Sequence, residues 1–247
     1  MASFKERLII GRQPLLEAIE AGVTIDKILL SKTANGDISA QIRDLCKQHQ
    51  IPMQFVPIEK LNSFTRANHQ GVIAFAAMVS YFSLQDVIDA AVSKGEIPLF
   101  LMLDSVTDVR NIGAIARTAL CCGVQAIIIP DKGVGALNEE AMKSSAGALE
   151  HIQICRVGSL MKAVDELHLN GIKVFASEMK SSTSIETLDF TDPCCIVMGG
   201  EERGVYPPLM KICDHIFHIP MKAKFESLNV SVAAGMILYE AMQQRAK

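Results

Sequence analysis

Three stretches of this chain hold residue types from which an active site could be made. The first, Asp104–Ala119 (DSVTDVRNIGAIARTA), carries Asn111 and Arg117 with Gly113 between them. An amide and a planar guanidinium fork bind oxygen-rich groups, and the guanidinium stays protonated in proteins. The second, Val197–Val205 (VMGGEERGV), puts Gly199-Gly200 and then Glu201 directly after an apolar run. Paired glycines let backbone approach a ligand closely, and Glu201 would sit at the strand exit. The third, Ile219–Glu240 (IPMKAKFESLNVSVAAGMILYE), runs from a strand end at Pro220 through a short loop to Ser227 and Asn229, ahead of an apolar helix. Exposed amides and carbonyls in such a loop could grip a small polar ligand. Each stretch also has a plain reading: a capping Asn with a solvated Arg, a glycine turn with surface charges, and N-capping of a core helix by Ser227 or Asn229.

The surrounding elements decide whether these stretches can meet. From Pro98 onward the apolar runs PLFLML, VQAIII, IQICRV, IKVFAS, CCIVMG and HIFHIP recur, with helical patterns between most of them. Continuous apolar strands alternating with helices predict an α/β domain with a mostly parallel sheet covered on both faces. Ile112, Ile115, Ala116, Ala119 and Leu120 form an apolar stripe at helical spacing. Arg117 lies off it and could lean back over Gly113, which has no side chain to block it. Asn111 and Arg117 would then project at the carboxyl edge of the sheet, where such folds bind ligands.

Residues 1–76 read as a separate small α/β unit: Pro14–Glu20 reads as a helix and Ile25–Leu30 as a strand, Ile38–His49 is amphipathic, Met53–Val56 is short and apolar, and Gly71–Phe75 is a candidate buried strand. Residues 77–96 read as a linker with one helix, Leu84–Ser93, and 97–247 as the larger domain.

With 49% hydrophobic and 21% charged residues among 247, the chain is an ordinary globular protein, not a disordered one. Its apolar stretches are far short of a membrane span, and MASFKERLII has no export-signal pattern. Seven cysteines, four of them in the adjacent pairs Cys121-Cys122 and Cys194-Cys195, form no CxxC. That argues for a reduced, cytoplasmic setting and against a disulfide framework or a zinc cluster. A net charge of −3 does not advertise a nucleic-acid partner, since phosphate contacts call for Lys and Arg, although a local basic patch is enough.

The three stretches together, N-x-G-x-x-x-R-x-A, G-x-E-x-x-G and I-P-M…S-L-N-V-S-x-A…L-Y-E, resemble the signature motifs of the SpoU (TrmH-like) branch of the SPOUT RNA methyltransferases. Lys143–His151 (KSSAGALEH) looks like the same family. Gly11–Ala18 (GRQPLLEA) and His69–Ala74 (HQGVIA) look like the L30e-like RNA-binding domain of members similar to the bacterial 23S rRNA guanosine 2′-O-methyltransferase. The resemblance implies a trefoil-knotted domain, a fold that no periodicity argument would suggest. It also implies homodimers with the site built across the interface, S-adenosylmethionine as cofactor, and methylation of a ribose 2′-hydroxyl in 23S rRNA or, alternatively, tRNA. Carried over by motif, Arg117 acts on the hydroxyl with Asn111, Glu201, Ser227 and Asn229 around it. Backbone near Gly199, Ile219, Met221 and Leu228 holds the cofactor. Ala223 stands where relatives often have glycine, so the cofactor loop is expected to be slightly reshaped.

Rival readings fit less well. Gly133-x-Gly135-x-x-Asn138 lacks the third glycine of a dinucleotide fingerprint. His215 and His218 would point to opposite faces of a strand and do not converge on a metal. An RNA-binding relative without catalysis need not keep all five polar types at the site. His69 could touch RNA or hold a turn, and Lys5, Arg7, Arg12, Lys27, Lys32, Arg43 and Lys47 could supply a basic patch for shape and phosphate recognition.

Overall fold

A computed structural model of the chain describes residues 8–33, 37–49, 51–222 and 227–246. The chain divides into two units, Met1–Ser80 and Tyr81–Lys247. The Ala223, Lys5 and Arg7 readings lie outside the described residues.

The first unit runs β1 (Leu8–Ile10), α1 (Arg12–Glu20), β2 (Ile25–Ser31), α2 (Asp37–Gln48), β3 (Met53–Val56), α3 (Ile58–Asn62) and β4 (Val72–Ala76). Its sheet order is β1-β4-β2-β3, with β4 antiparallel to both neighbours and β2 parallel to β3. Period-two alternation sorts β2 into two cores. Ile28 and Leu30 pack with Leu15, Ile42 and Val72, while Leu29 packs with Val56, Leu61 and Ile73 on the other face. Pro14 sits in the first turn of α1, where its missing N–H costs nothing.

The second unit runs β5 (Tyr81–Phe82), α4 (Leu84–Ser93), β6 (Leu99–Asp104), α5 (Val109–Cys121), β7 (Ala126–Pro130), α6 (Glu139–Ser144), β8 (Gln153–Val157), α7 (Leu160–Leu169), β9 (Lys173–Ser177), β10 (Cys194–Gly199), α8 (Pro207–Met210), β11 (His215–Phe217) and α9 (Val230–Arg245). The seven strands lie in the order β11-β9-β10-β6-β7-β8-β5, and every pairing is parallel. Each of the six apolar runs in the sequence contributes one strand. β5 is a seventh, too short and too polar around it to stand out. Residues 81–93, inside the stretch read as a linker, form β5 and α4, and Leu84, Val87 and Ile88 enter the core beside Phe100, Ala126 and Leu160.

The chain leaves β6 toward β7 on one side and later returns to place β10 on the other. The carboxyl ends of β6 and β10, aligned in register from Cys194↔Leu99 to Gly199↔Asp104, therefore flank a topological switch point. α9 closes the unit, and Arg245 in its last turn ties it down. The guanidinium donates to the carbonyls of Phe190, Ile97, Pro98 and Asp192 at 2.7–3.0 Å. Those acceptors sit beside the amino ends of β6 and β10.

Candidate active site at the β6–β10 edge

Helix α5 begins at Val109 because Asp108 caps it, its carboxylate accepting the Arg110 N–H at 2.8 Å. Asn111 therefore lies within the first turn and is not the cap, which frees its side chain. The cap of α9 is Asn229, whose Oδ1 accepts from the Ser231 and Val232 amides at 3.0 and 3.4 Å. Its Nδ2 is left to donate elsewhere. It donates to Glu201 Oε1 at 2.7 Å and to Asn111 Oδ1 at 3.1 Å, while Asn111 Nδ2 donates to the same Glu201 oxygen at 3.1 Å. The Val230 N–H adds a third, longer contact to that oxygen at 3.4 Å. Three sequence-distant stretches thus converge on one carboxylate oxygen at the edge of the sheet.

Arg117 does not join them within one chain. It is exposed on α5, six residues and about 9 Å along the axis from Asn111, and it takes no part in this network. The sequence reading placed Arg117 over an open Gly113, and that must be corrected. Gly113 is buried, and a Cβ there would meet the Ala141 carbonyl oxygen at 2.5 Å and Ser144 Cβ at 2.6 Å. The glycine is needed for the close contact of α5 with α6, not for an arginine.

The glycine pair after β10 also serves backbone packing. A Cβ at Gly199 would overlap the Gly204–Val205 peptide, and one at Gly200 would overlap the Ser105 carbonyl. The 200–204 turn is closed by Gly204 N–H to Gly200 O at 2.8 Å, and the Gly200 N–H donates to Asp104 O at 2.9 Å. Sequence reasoning passed over Asp104. This buried carboxylate accepts the Tyr206 N–H at 2.6 Å and the Ser105 hydroxyl at 3.0 Å, so it fixes both loops of the switch point. Ser105 is held at φ +59, a left-handed conformation uncommon outside glycine and enriched where sites store strain. The signal that could have found Asp104 is a lone charge ending a fully apolar strand.

Beside this network lies a cavity of about 470 Å³, within the range of about 300–1,000 Å³ usual for small-molecule sites. Gly199, Ile219, Met221 and Leu228 all line it, as do Glu201 and Ser227. Glu178, Lys180, Arg203 and His218 line it too, and none was singled out as a site residue from sequence. His218 lies one residue past β11, half-buried, with its Nδ1 buried and unpartnered among the described residues. His215 is exposed and stacks on Phe175 with ring centroids 4.9 Å apart. Among the described residues no group of three or more His, Cys, Asp or Glu could hold a metal ion. All seven cysteines are free thiols; burial pushes Cys155 up to about 12 and Cys46 up to about 11, as inert core thiols behave.

In the first unit, His69 proves structural. It is buried, its Nδ1 accepts the Gly71 N–H at 3.0 Å, and its Nε2 lies 2.9 Å from Asn62 Oδ1. Since Nδ1 must be the acceptor, Nε2 carries the proton. Arg12 donates to the Gln70 carbonyl at 2.9 Å, and Lys27 and Arg43 lie over the Phe75 and Phe55 rings at 4.9 and 5.9 Å. No described helix is long and apolar enough to cross a membrane.

Two family descriptions match the chain. "SpoU rRNA Methylase family" covers residues 98–239, and "RNA 2′-O ribose methyltransferase substrate binding" covers residues 8–82. A Bacillus subtilis protein named as a TrmH family tRNA/rRNA methyltransferase is 33% identical over 237 residues, 96% of this chain and 95% of that one. A Staphylococcus saprophyticus protein of the same naming is 34% identical over 98% of this chain and 97% of its own length. Among solved structures, the SpoU methyltransferase AviRb from Streptomyces viridochromogenes in complex with AdoMet shares the fold. Its TM-score is 0.61 at 24% identity, over 97% of this chain and 90% of that one. The Aquifex aeolicus TrmH/SpoU tRNA modifying enzyme gives a TM-score of 0.54 at 28% identity over 65% of this chain and 85% of its own.

Proposed function

The chain belongs to the SpoU rRNA methylase family, and from that premise we propose that it moves a methyl group from S-adenosylmethionine to a ribose 2′-hydroxyl of RNA. The observation that carries the proposal is the cluster of Asn111, Glu201 and Asn229, whose Glu201 also lines the cavity.

The cavity's residues suit this cofactor. Met198, Ile219, Met221 and Leu228 offer apolar surface for a purine and for methylene groups. Glu201 offers anionic charge toward a sulfonium, while Lys180 and Arg203 can meet a carboxylate. Bound S-adenosylmethionine supplies an already activated methyl group. What remains for the chain is to hold a weakly acidic hydroxyl in line and to accept the charge that develops on its oxygen. Glu201, already receiving donors from both asparagines, anchors those two amides at fixed angles, and Ser227 supplies a hydroxyl at the cavity wall. Arg117, permanently cationic, stabilises the developing alkoxide and does not act as a base.

Because Arg117 stands apart from the trio within one chain, a second copy must deliver it. The exposed face of α9 carries Val232, Met236 and Tyr239, each 48–57% exposed, at a spacing that forms one apolar stripe. α9 packs on α5, with Thr118 beside Gly235, and Leu120 continues the exposed apolar surface next to Arg117. A homodimer through this face is the arrangement we propose. The same family premise supports a knotted path, consistent with the tight crossing of residues 199–205 over Ser105.

The first unit, matched by the substrate-binding family description, is the RNA-gripping part, and its presence favours a guanosine of 23S rRNA in the cytoplasm as target. The likeness to a tRNA modifying enzyme keeps tRNA as the second reading. Incubating the protein with labelled S-adenosylmethionine and bulk RNA should label RNA, and mass-spectrometric mapping of ribose methylation in rRNA and tRNA from a deletion strain should locate the lost mark. Transfer of label to a base or to no RNA at all would overturn the proposal.

A further inference from the structure

The carboxylate of Glu178 has no role in the chemistry set out above, yet it occupies a defined place in the cavity. Glu178 follows β9, the strand next to β10. Ala176 pairs with Val197, so two residues further on Glu178 stands level with Gly199 on the neighbouring strand. Its backbone N–H donates to Phe217 O at 2.8 Å, and its Oε1 accepts the Lys180 N–H at 3.1 Å. The side chain is thereby oriented, and Oε2 has no partner among the described residues. That oxygen lies 3.6 Å from where a side chain at Gly204 would begin, and Gly204, at φ +63, offers none. A half-buried carboxylate oxygen is thus aimed across an open cleft.

We infer that Glu178 holds the ribose diol of the cofactor. The inference rests on the reading of this cavity as the S-adenosylmethionine site. If the reacting sulfur lies against the Glu201 end, the ribose, joined to it through one methylene, falls about one strand spacing away, roughly 5 Å, over β9. An ionised carboxylate is acceptor-only and can take two hydroxyl donors at once. The same solution appears in dinucleotide-binding folds, where an acidic residue holds a ribose hydroxyl. Here the acid follows the strand beside the glycine pair.

Binding measured by calorimetry on the full chain tests this without turnover. The probes are S-adenosylhomocysteine, its 2′-deoxy and 3′-deoxy counterparts, and 5′-methylthioadenosine, which lacks the amino-acid group. The native chain should bind S-adenosylhomocysteine about tenfold or more tightly than either deoxy counterpart, as loss of a charged hydrogen bond implies. In Glu178→Gln that preference should shrink toward unity, and the affinity for 5′-methylthioadenosine should fall with that for S-adenosylhomocysteine. If Glu178→Gln keeps the full preference, or weakens diol and deoxy ligands equally, the inference is wrong while the cofactor site stands. If its affinity falls for S-adenosylhomocysteine but not for 5′-methylthioadenosine, the carboxylate serves the ammonium and the inference is again wrong. A native chain that binds neither would remove the cofactor reading itself.

Discussion

Asn229 does two jobs with one amide: its oxygen caps α9 and its nitrogen reaches Glu201 and Asn111. Substitution by aspartate separates them. Aspartate caps as well as asparagine, so Asn229→Asp keeps the cap, and any fall in its denaturant midpoint reports the repulsion between the new carboxylate and Glu201. It would replace a donor 2.7 Å from Glu201 with a second anion, and methyl transfer should fall steeply in the labelled-methyl assay; unchanged activity would show that the trio is not part of the reaction. Arg117→Ala should cost at least about 10²-fold in transfer, the scale for losing one preorganised charge stabiliser. Cofactor affinity by calorimetry should stay near native, and a lost affinity would move Arg117 from chemistry to binding. The polar residue types and their places at strand exits were legible in the chain. The cap of α9 was narrowed to Ser227 or Asn229, and Asn229 is the one; the cap of α5 was not legible, because Asp108 and Asn111 look alike as N-cap candidates until the first helical turn is located.

At the scale of the elements, α5 comes close against α6, an approach made possible by Gly113. Adding a methyl there meets backbone at Ala141 and Ser145, which cannot swing aside as a flexible side chain could. Overpacking of this kind costs about 1–3 kcal/mol, against a helix-propensity gain of about 1 kcal/mol for alanine over glycine. Gly113→Ala should therefore lower the urea midpoint or leave it little changed, and a raised midpoint would mean the two helices are free to part. The helix periodicity of this segment was readable, with four of its five stripe residues buried and Leu120 exposed. What Gly113 faces was not readable, since a small residue on one helix says nothing of which backbone comes against it. The glycines at 199 and 200 teach the same point: their type announced a close approach, and only the fold revealed that the Gly204–Val205 peptide and the Ser105 carbonyl are what approach.

For the molecule as a whole, the alternation of apolar runs and helices was enough to give a parallel α/β unit after Pro98. Strand order was not legible, because β10 inserts between β9 and β6, a path that local pattern cannot encode. The site depends on that insertion. Sedimentation should show a dimer, and Tyr239→Glu, which puts a charge into the exposed stripe of α9, should yield monomers that bind cofactor poorly or transfer no methyl. Fully active monomers would mean Arg117 acts within its own chain.

Helix α9 is about 24 Å long, with Asn229 at one tip and Arg245 at the other, moored to four carbonyls on the far side of the sheet. Its firmest hold is thus at the end remote from the chemistry. Carboxypeptidase digestion past Arg245 would release the mooring without touching a reacting group, and the expected symptom is slower turnover with RNA affinity unaltered. A purification tag that draws Arg245 away from those carbonyls would do the same harm.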